Sequence, residues 1–321
     1  MINSMTIKCG LLLAVLCTLN ACEQSQLNQT NQTSNQTNSQ INSETNNQAI
    51  KVITPDWAIA STLTAMGYPP VATGDVKIYP TWVFEPKLPV QTIDLGARYA
   101  PNPERLAQLH PDIIIDSDFY AHLRPLYGDI PHEAISFIPQ SEVASWQDYV
   151  KPTQKLGEII QKPDAAEQFL AKSKQRLNEL GKNFHQKNPD IQKLAVVQFA
   201  DANNLRMYVS NSLFQPVFDE MDLQFITLEN ELGAGNQWGF LSITLGDLTK
   251  LDNDVCLVVV EPFDPMLHQE LTHNLLWQRL GYANNRCMAV VKPLWIYGGV
   301  ASMLTFANWL NEAEFKGSKL S

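Results

Sequence analysis

Residues 51–54, 70–73, 92–96, 112–116 and 134–137 are short apolar or β-branched runs bounded by Pro, Gly, Asn or Asp, and they read as strands. Helical patterns fall between them. Asp56 caps a helix that runs to Ala65 and ends at Gly67, and Asn102 caps another over 103–110 that begins with Pro103. Residues 143–184 contain no strand pattern. A first helix runs to about Ile160, and Pro163 opens a second with Phe169, Leu170, Ser173, Leu177, Leu180 and Phe184 at three- and four-residue spacing. The alternation then resumes, with strands over 194–199, 207–209, 224–228, 256–260 and 287–291. Helices are expected over 212–221, near Asp247, over 269–280 and over 300–315. The pattern predicts an α/β fold of two lobes with mainly parallel sheets, joined by one long rigid helix and leaving a cleft between them. The boundaries expected are 50–142 for the first lobe, 143–186 for the helical connector and 187–321 for the second lobe.

The N-terminus is different in kind. Lys8 precedes an apolar run over 9–19, too short to span a bilayer comfortably, which ends in Leu19-Asn20-Ala21-Cys22. That order predicts a bacterial lipoprotein signal over 1–22, with the Cys22 thiol taking the lipid. An ordinary signal peptide with a chance cysteine is the plainer alternative. Residues 23–49 are almost entirely Gln, Asn, Ser and Thr, so they cannot bury apolar surface and read as a disordered tether.

Composition narrows the function. The 321 residues are 45% hydrophobic and 17% charged, enough for a sizeable core. A net charge of −10 is the opposite of a nucleic-acid-binding surface. No phosphate loop, GxSxG, HExxH or CxxC occurs, and the six histidines are scattered; His268 and His273 read as a solvated helix face. Asp116 and Asp118 form a carboxylate pair with no evident task. No catalytic constellation is visible, so the chain reads as a non-enzyme needing no cofactor. Cys256 and Cys287 open strands placed side by side. A disulfide between them is one reading, and two buried thiols is the slightly favoured one, since adjacent parallel strands rarely offer bridging geometry.

Candidate binding groups cluster at loops and strand ends. Tyr79, Trp82 and Phe84 stand among Pro80, Pro86 and Pro89, where a regular helix is not expected. Arg98 follows the 92–96 strand, Tyr120 follows the 112–116 strand, Trp238 sits in a glycine-rich loop, and Trp295 and Tyr297 follow the last strand. Ligands of open α/β sheets bind at such carboxyl ends. A packed aromatic is the plainer reading of any one of these rings; their repetition across both lobes favours a cleft.

The segments YPTWVFEPKLP, IDLGARYAPNPERLAQLHPD, SNSLFQPVFDE, QWG, LLWQRL and KPLWIYGG resemble the ferric hydroxamate-binding proteins of siderophore ABC importers, within the wider group that binds iron complexes and cobalamin. The resemblance runs from about Ile50 to the C-terminus. It implies a monomeric, lipid-anchored solute-binding protein in the periplasm or at the outer cell surface, which delivers a ferric siderophore to an ABC permease and its ATPase. It implies that Trp82, Trp238, Tyr297 and the nearby Trp295 pack on the siderophore's carbon skeleton, while Arg98 and Tyr120 bond the hydroxamate oxygens. The siderophore holds the iron, so no protein metal ligand is expected. Arg124 and Arg206 are the residues that would add charge for a catecholate complex. Cobalamin and haem are the alternative cargoes on the same scaffold, and an exported lipoprotein enzyme such as a metal chelatase is the reading from another class. The family docks through an acidic residue on each lobe; Leu123-Arg124-Pro125 departs from that pattern, and Asp247 is a weak candidate for the second lobe.

Overall fold

The computed structural model describes residues 49–282 and 285–315. The apolar run at 9–19, Cys22 and the polar stretch to residue 48 lie outside the described residues. The described residues belong to one compact unit.

The first sheet is built from β1 (Val52–Thr54), β2 (Ala72–Thr73), β3 (Ile93–Asp94), β4 (Ile113–Asp116) and β5 (His132–Ala134). Its order is β3-β2-β1-β4-β5, and every pairing is parallel. Helices α1 (Trp57–Ala65), α2 (Tyr79–Trp82) and α3 (Pro103–Leu109) lie between its strands. Two departures from the sequence pattern have simple causes. Pro80 falls in the first turn of α2, where no N–H is needed, so the proline-rich loop holds a single helical turn. β5 pairs at His132–Ala134 rather than at 134–137, because Ile135 and Phe137 owe their apolar character to core packing beyond the ladder.

Helices α4 (Trp146–Ile159) and α5 (Pro163–Lys187) follow. The buried face of α5 carries Leu170, Ser173, Leu177, Leu180 and Phe184, the positions whose spacing predicts it. The second sheet comprises β6 (Lys193–Phe199), β7 (Asn204–Tyr208), β8 (Gln224–Phe225), β9 (Phe240–Thr244), β10 (Val255–Val260) and β11 (Met288–Val291). Its order is β11-β10-β6-β7-β9, with β8 also on β6; β7 pairs antiparallel with both β6 and β9, and the other pairings are parallel. The strand β9 has no counterpart in the sequence reading. Helices α6 (Phe214–Glu220), α7 (Glu229–Leu232), α8 (Leu267–His273), α9 (Leu275–Leu280) and α10 (Val300–Glu312) complete the chain. The helix expected over 269–280 is broken at Asn274, whose side chain caps α9 by accepting from Leu276 and Trp277 N–H.

Strand alternation divides the core. Val52 and Ile115 of the first sheet share one hydrophobic cluster with Leu194, Val196 and Val258 of the second, while Ile53 and Ile114 face a separate cluster on the far side. Ala195, Val197 and Leu257 line the far face of the second sheet. The shared cluster also contains Leu170, Leu177 and Phe184 of α5 and Phe306 of α10, so one apolar core continues through both lobes. Gly299 marks how closely they meet: a Cβ there would lie 2.7 Å from Thr62 Oγ1 and 2.8 Å from the Phe137 ring.

Cys256 and Cys287 are disulfide-bonded, which overturns the preference for free thiols. Their Cα atoms are 4.6 Å apart. Cys287 stands one residue before β11, next to the Leu257–Met288 pair, where its backbone is not yet committed to the ladder on both sides.

Candidate functional site

Arg98 is positioned by Gly74. A Cβ at Gly74 would lie 2.5 Å from the Arg98 Cα, so only glycine lets the two backbones approach. The Asp75 carboxylate accepts from the Arg98 N–H at 3.1 Å and stands 3.8 Å from Nε. The guanidinium lies over Trp57, 3.8 Å from the ring centroid, with Trp295 and Tyr99 each within 5 Å. Trp57 is itself fixed by donating Nε1–H to the Gly74 carbonyl. Nη2 of Arg98 donates to the Tyr99 hydroxyl at 2.7 Å, whereas Nε and Nη1 are buried without a hydrogen-bond acceptor.

In front of this group lies a cavity of about 210 Å³, walled by residues of both lobes. Tyr99, Phe119 and Tyr120 face it from the first lobe, and Trp238, Trp295 and Tyr297 from the second. The rings form a continuous series. Tyr99 stacks on Tyr120, Phe119 meets Trp238 across the cleft at 5.6 Å, and Trp238, Tyr297 and Trp295 follow edge to face. Burial pushes the Tyr120 hydroxyl up from the usual phenol range, with Asp56 adding to the effect, so it is a neutral donor. A second cavity of about 1020 Å³ adjoins the first, and the two share Ser117, Phe119, Ser136, Ile138 and Trp238. Phe119 and Trp238, in contact with each other, therefore stand between the two cavities.

Asp56 completes the wall of the smaller cavity. As N-cap of α1 its Oδ1 accepts from Ala58 N–H at 2.7 Å, and its Oδ2 accepts from the Ser117 hydroxyl at 2.6 Å. Burial pushes its carboxyl up from the usual range, against the Ser117, Ala58 and Ile59 donors and Arg98. Phe119, Tyr99 and Asp56 were all missed as site residues. Asp56 has only a capping signature in sequence, and Phe119 is separated from Tyr120 by nothing but orientation.

Tyr120, Trp238, Trp295 and Tyr297 thus converge, while Arg98 lines neither cavity and lies against the rings of Trp57, Tyr99 and Trp295. Trp82 does not join them: it is exposed on α2 and lines neither cavity. Phe84 turns into the protein and packs on Trp309. Arg124 is not available to the cleft. Its guanidinium grips both oxygens of the fully buried Asp116 and one oxygen of Asp118, which also gives that carboxylate pair a structural task. Arg206 is exposed on β7 behind Phe240. Asp247 is tied up as well, since it accepts from Thr244 and Lys250 within its own turn. Among the described residues no group of three or more His, Cys, Asp or Glu is arranged to hold a metal ion, and no helix is long and apolar enough to cross a membrane.

Comparison with known proteins points to one family. The periplasmic binding protein profile matches residues 52–289. The iron(3+)-hydroxamate-binding protein FhuD of Escherichia coli strain K12 is 24% identical over 264 residues, covering 82% of this chain and 86% of that protein. The structure of FhuD from Vibrio cholerae with bound Fe3+–Desferal has a TM-score of 0.73 at 23% identity, covering 83% of this chain and 98% of that one. The triscatecholate siderophore-binding protein FeuA from Bacillus subtilis, complexed with ferri-bacillibactin, has a TM-score of 0.59 at 18% identity, covering 81% and 90%.

Proposed function

The chain belongs to the periplasmic binding protein family, whose members bind solutes rather than act as enzymes, and we propose that it captures ferric hydroxamate siderophores for an ABC importer. The observation that carries this reading is Arg98: a buried guanidinium with two N–H groups lacking acceptors, set against the rings of Trp57, Tyr99 and Trp295. A ferric trihydroxamate offers what such a site lacks. Its oxygens accept from Arg98 and from the Tyr120 hydroxyl, and its aliphatic skeleton lies against Trp238, Trp295 and Tyr297. The iron arrives as cargo inside the siderophore and requires no protein ligand. The hydroxamate-binding relative in Escherichia coli and the Desferal-bound fold from Vibrio cholerae support the same chemistry.

Charge argues against a catecholate. A triply anionic complex would need several free cations, yet Arg98 faces Asp75, Asp56 lies in the cavity wall, and Arg124 is consumed by two carboxylates. In this reading residues 50–142 and 187–321 are the two gripping lobes and 143–186 the connector. The lipid on Cys22 and the 23–49 tether hold the domain near the membrane, where it hands its cargo to the permease.

The test is a titration of tryptophan fluorescence with ferric hydroxamates, ferric catecholates, haem and cobalamin. Saturable quenching by ferrichrome- or ferrioxamine-type complexes is expected. Quenching by haem or cobalamin, with none by any hydroxamate, would replace the ligand class and leave the solute-binding role intact.

A further inference from the structure

We propose that the larger cavity is a second compartment of the cleft, which takes a cationic arm of the ligand: the primary ammonium of a ferric hydroxamate that carries one. This rests on the ferric hydroxamate reading above and adds to it a feature of the ligand that the iron-bearing core does not specify. The two cavities differ in chemistry. The smaller is mostly aromatic and apolar, whereas the larger, beyond the shared Phe119 and Trp238, carries serines, side-chain amides and the carboxylates of Asp118, Glu142 and Glu229. No Lys, Arg or His stands among the described residues that line it.

The three carboxylates are not equivalent. Asp118 is offset by Arg124, 2.8 Å away. Glu229 accepts from the Ser210 N–H and from the Ser210 and Thr227 hydroxyls, all through Oε2, so Oε1 takes none of these bonds. Glu142 is exposed, and its carboxylate meets no hydrogen-bond donor or cation among the described residues. An independent observation lies in the same wall. Asn211 donates Nδ2–H to the Asn236 carbonyl, while its Oδ1 is buried without a donor. This wall therefore holds more acceptors than donors. A primary ammonium answers that imbalance, with three donors, no acceptor and a positive charge. The place of the cavity fits an arm rather than a core. A ferric complex seated against the aromatic rings sends a pendant chain past Phe119 and Trp238 into this space. An anionic arm would meet Glu142 and Glu229 with no cation in the wall to receive it.

The experiment titrates tryptophan fluorescence with ferrioxamine B, whose arm ends in a primary ammonium, and with its N-acetylated form, which keeps the same ferric trihydroxamate core and has no charge on the arm. Wild type is compared with Glu142→Gln and with the double variant Glu142→Gln, Glu229→Gln, and thermal melting is followed in parallel. The quantity read is the ratio of the two dissociation constants. Wild type should bind the ammonium form about fivefold more tightly, the scale of ion pairs that stay open to solvent. Glu142→Gln should roughly halve that preference while leaving the affinity for the acetylated form unchanged, and the double variant should bring the ratio to about one. Raised salt should shrink the wild-type preference in the same direction. Because the Glu142 side chain holds nothing in the fold, its variant decides the matter even where melting shows that the double variant is weakened. Equal binding of the two complexes by wild type, or a preference unmoved by Glu142→Gln, would overturn the cationic compartment and leave the hydroxamate reading standing. Binding of neither complex would overturn the hydroxamate reading and the compartment with it.

Discussion

The Nη2 of Arg98 donates to the Tyr99 hydroxyl at 2.7 Å, and the same tyrosine ring stacks on Tyr120 at a centroid distance of 6.0 Å. Tyr99 therefore takes one donor of Arg98, leaving Nε and Nη1 without an acceptor, and its ring packs beside that of Tyr120. With 46% of its surface exposed it is the member of the group free to move aside.

Two substitutions separate these roles. Arg98→Ala removes the charged donor and should weaken ferric hydroxamate binding by about 1.5–3 kcal/mol, the scale of a hydrogen bond to a charged group. Tyr99→Phe keeps the ring but removes the competing acceptor, so binding should tighten by about 0.5–1.5 kcal/mol. Fluorescence titration with one ferric trihydroxamate reads both. Weaker binding in Tyr99→Phe would show that the hydroxyl itself serves the ligand.

The disulfide between Cys256 and Cys287 closes a loop of 31 residues. A loop of that length should add about 3–4 kcal/mol to stability through the restricted unfolded chain. Chemical denaturation with and without reductant measures it, and the cleft should still bind its ligand when the bond is reduced, because neither cysteine lines a cavity.

How much was legible depended on how local each signal was. Leu170, Leu177, Leu180 and Phe184 declare α5 because their spacing alone puts them on one face, and Asp56 and Asn102 declare caps through their own chain neighbours. The strand β9 was hidden because its partner β7 lies more than thirty residues earlier and only Ile243 of its five residues is buried. The aromatic lining of the cavity was legible for the same reason: Tyr120, Trp295 and Tyr297 follow strand ends that the pattern locates, and Trp238 stands in a loop marked by its glycines. Its polar half was not. That Ser117, sixty-one residues on, binds Asp56, or that Arg124 turns back to Asp116, is set by tertiary packing. Trp82 is the converse case, since a proline-rich setting marks an exposed turn as readily as a cleft wall, and Trp82 lines neither cavity.

Asp247 supplies a pH dependence. Lys250 and the Thr244 hydroxyl and N–H hold its carboxyl down at about 2, below its ordinary value of 3.8. A depressed carboxyl stabilises the folded state above the unfolded value and loses that contribution as pH falls through the folded one. Wild type should therefore exceed Asp247→Asn in denaturant midpoint near neutrality, with the gap narrowing below about pH 4 and closing near pH 2. A gap constant with pH would mean that the side chain acts through shape rather than charge.

Arg124 tests whether a cation near the cleft belongs to the ligand or to the fold. Asp116 is fully buried and holds three donors: Nε and Nη2 of Arg124 and the Tyr127 hydroxyl. Removing the guanidinium leaves a buried carboxylate with one remaining partner, so Arg124→Ala should cost about 3 kcal/mol of stability, the lower end for a broken buried pair because Tyr127 still donates. Ligand affinity should change by less than about threefold, since the side chain faces Asp116 and Asp118 rather than the cavity. The double variant Arg124→Leu with Asp116→Asn removes the stranded charge and should recover part of the lost stability. Denaturation and fluorescence titration on the same samples decide between the roles. A large loss of affinity with an unchanged denaturation midpoint would return Arg124 to the binding site.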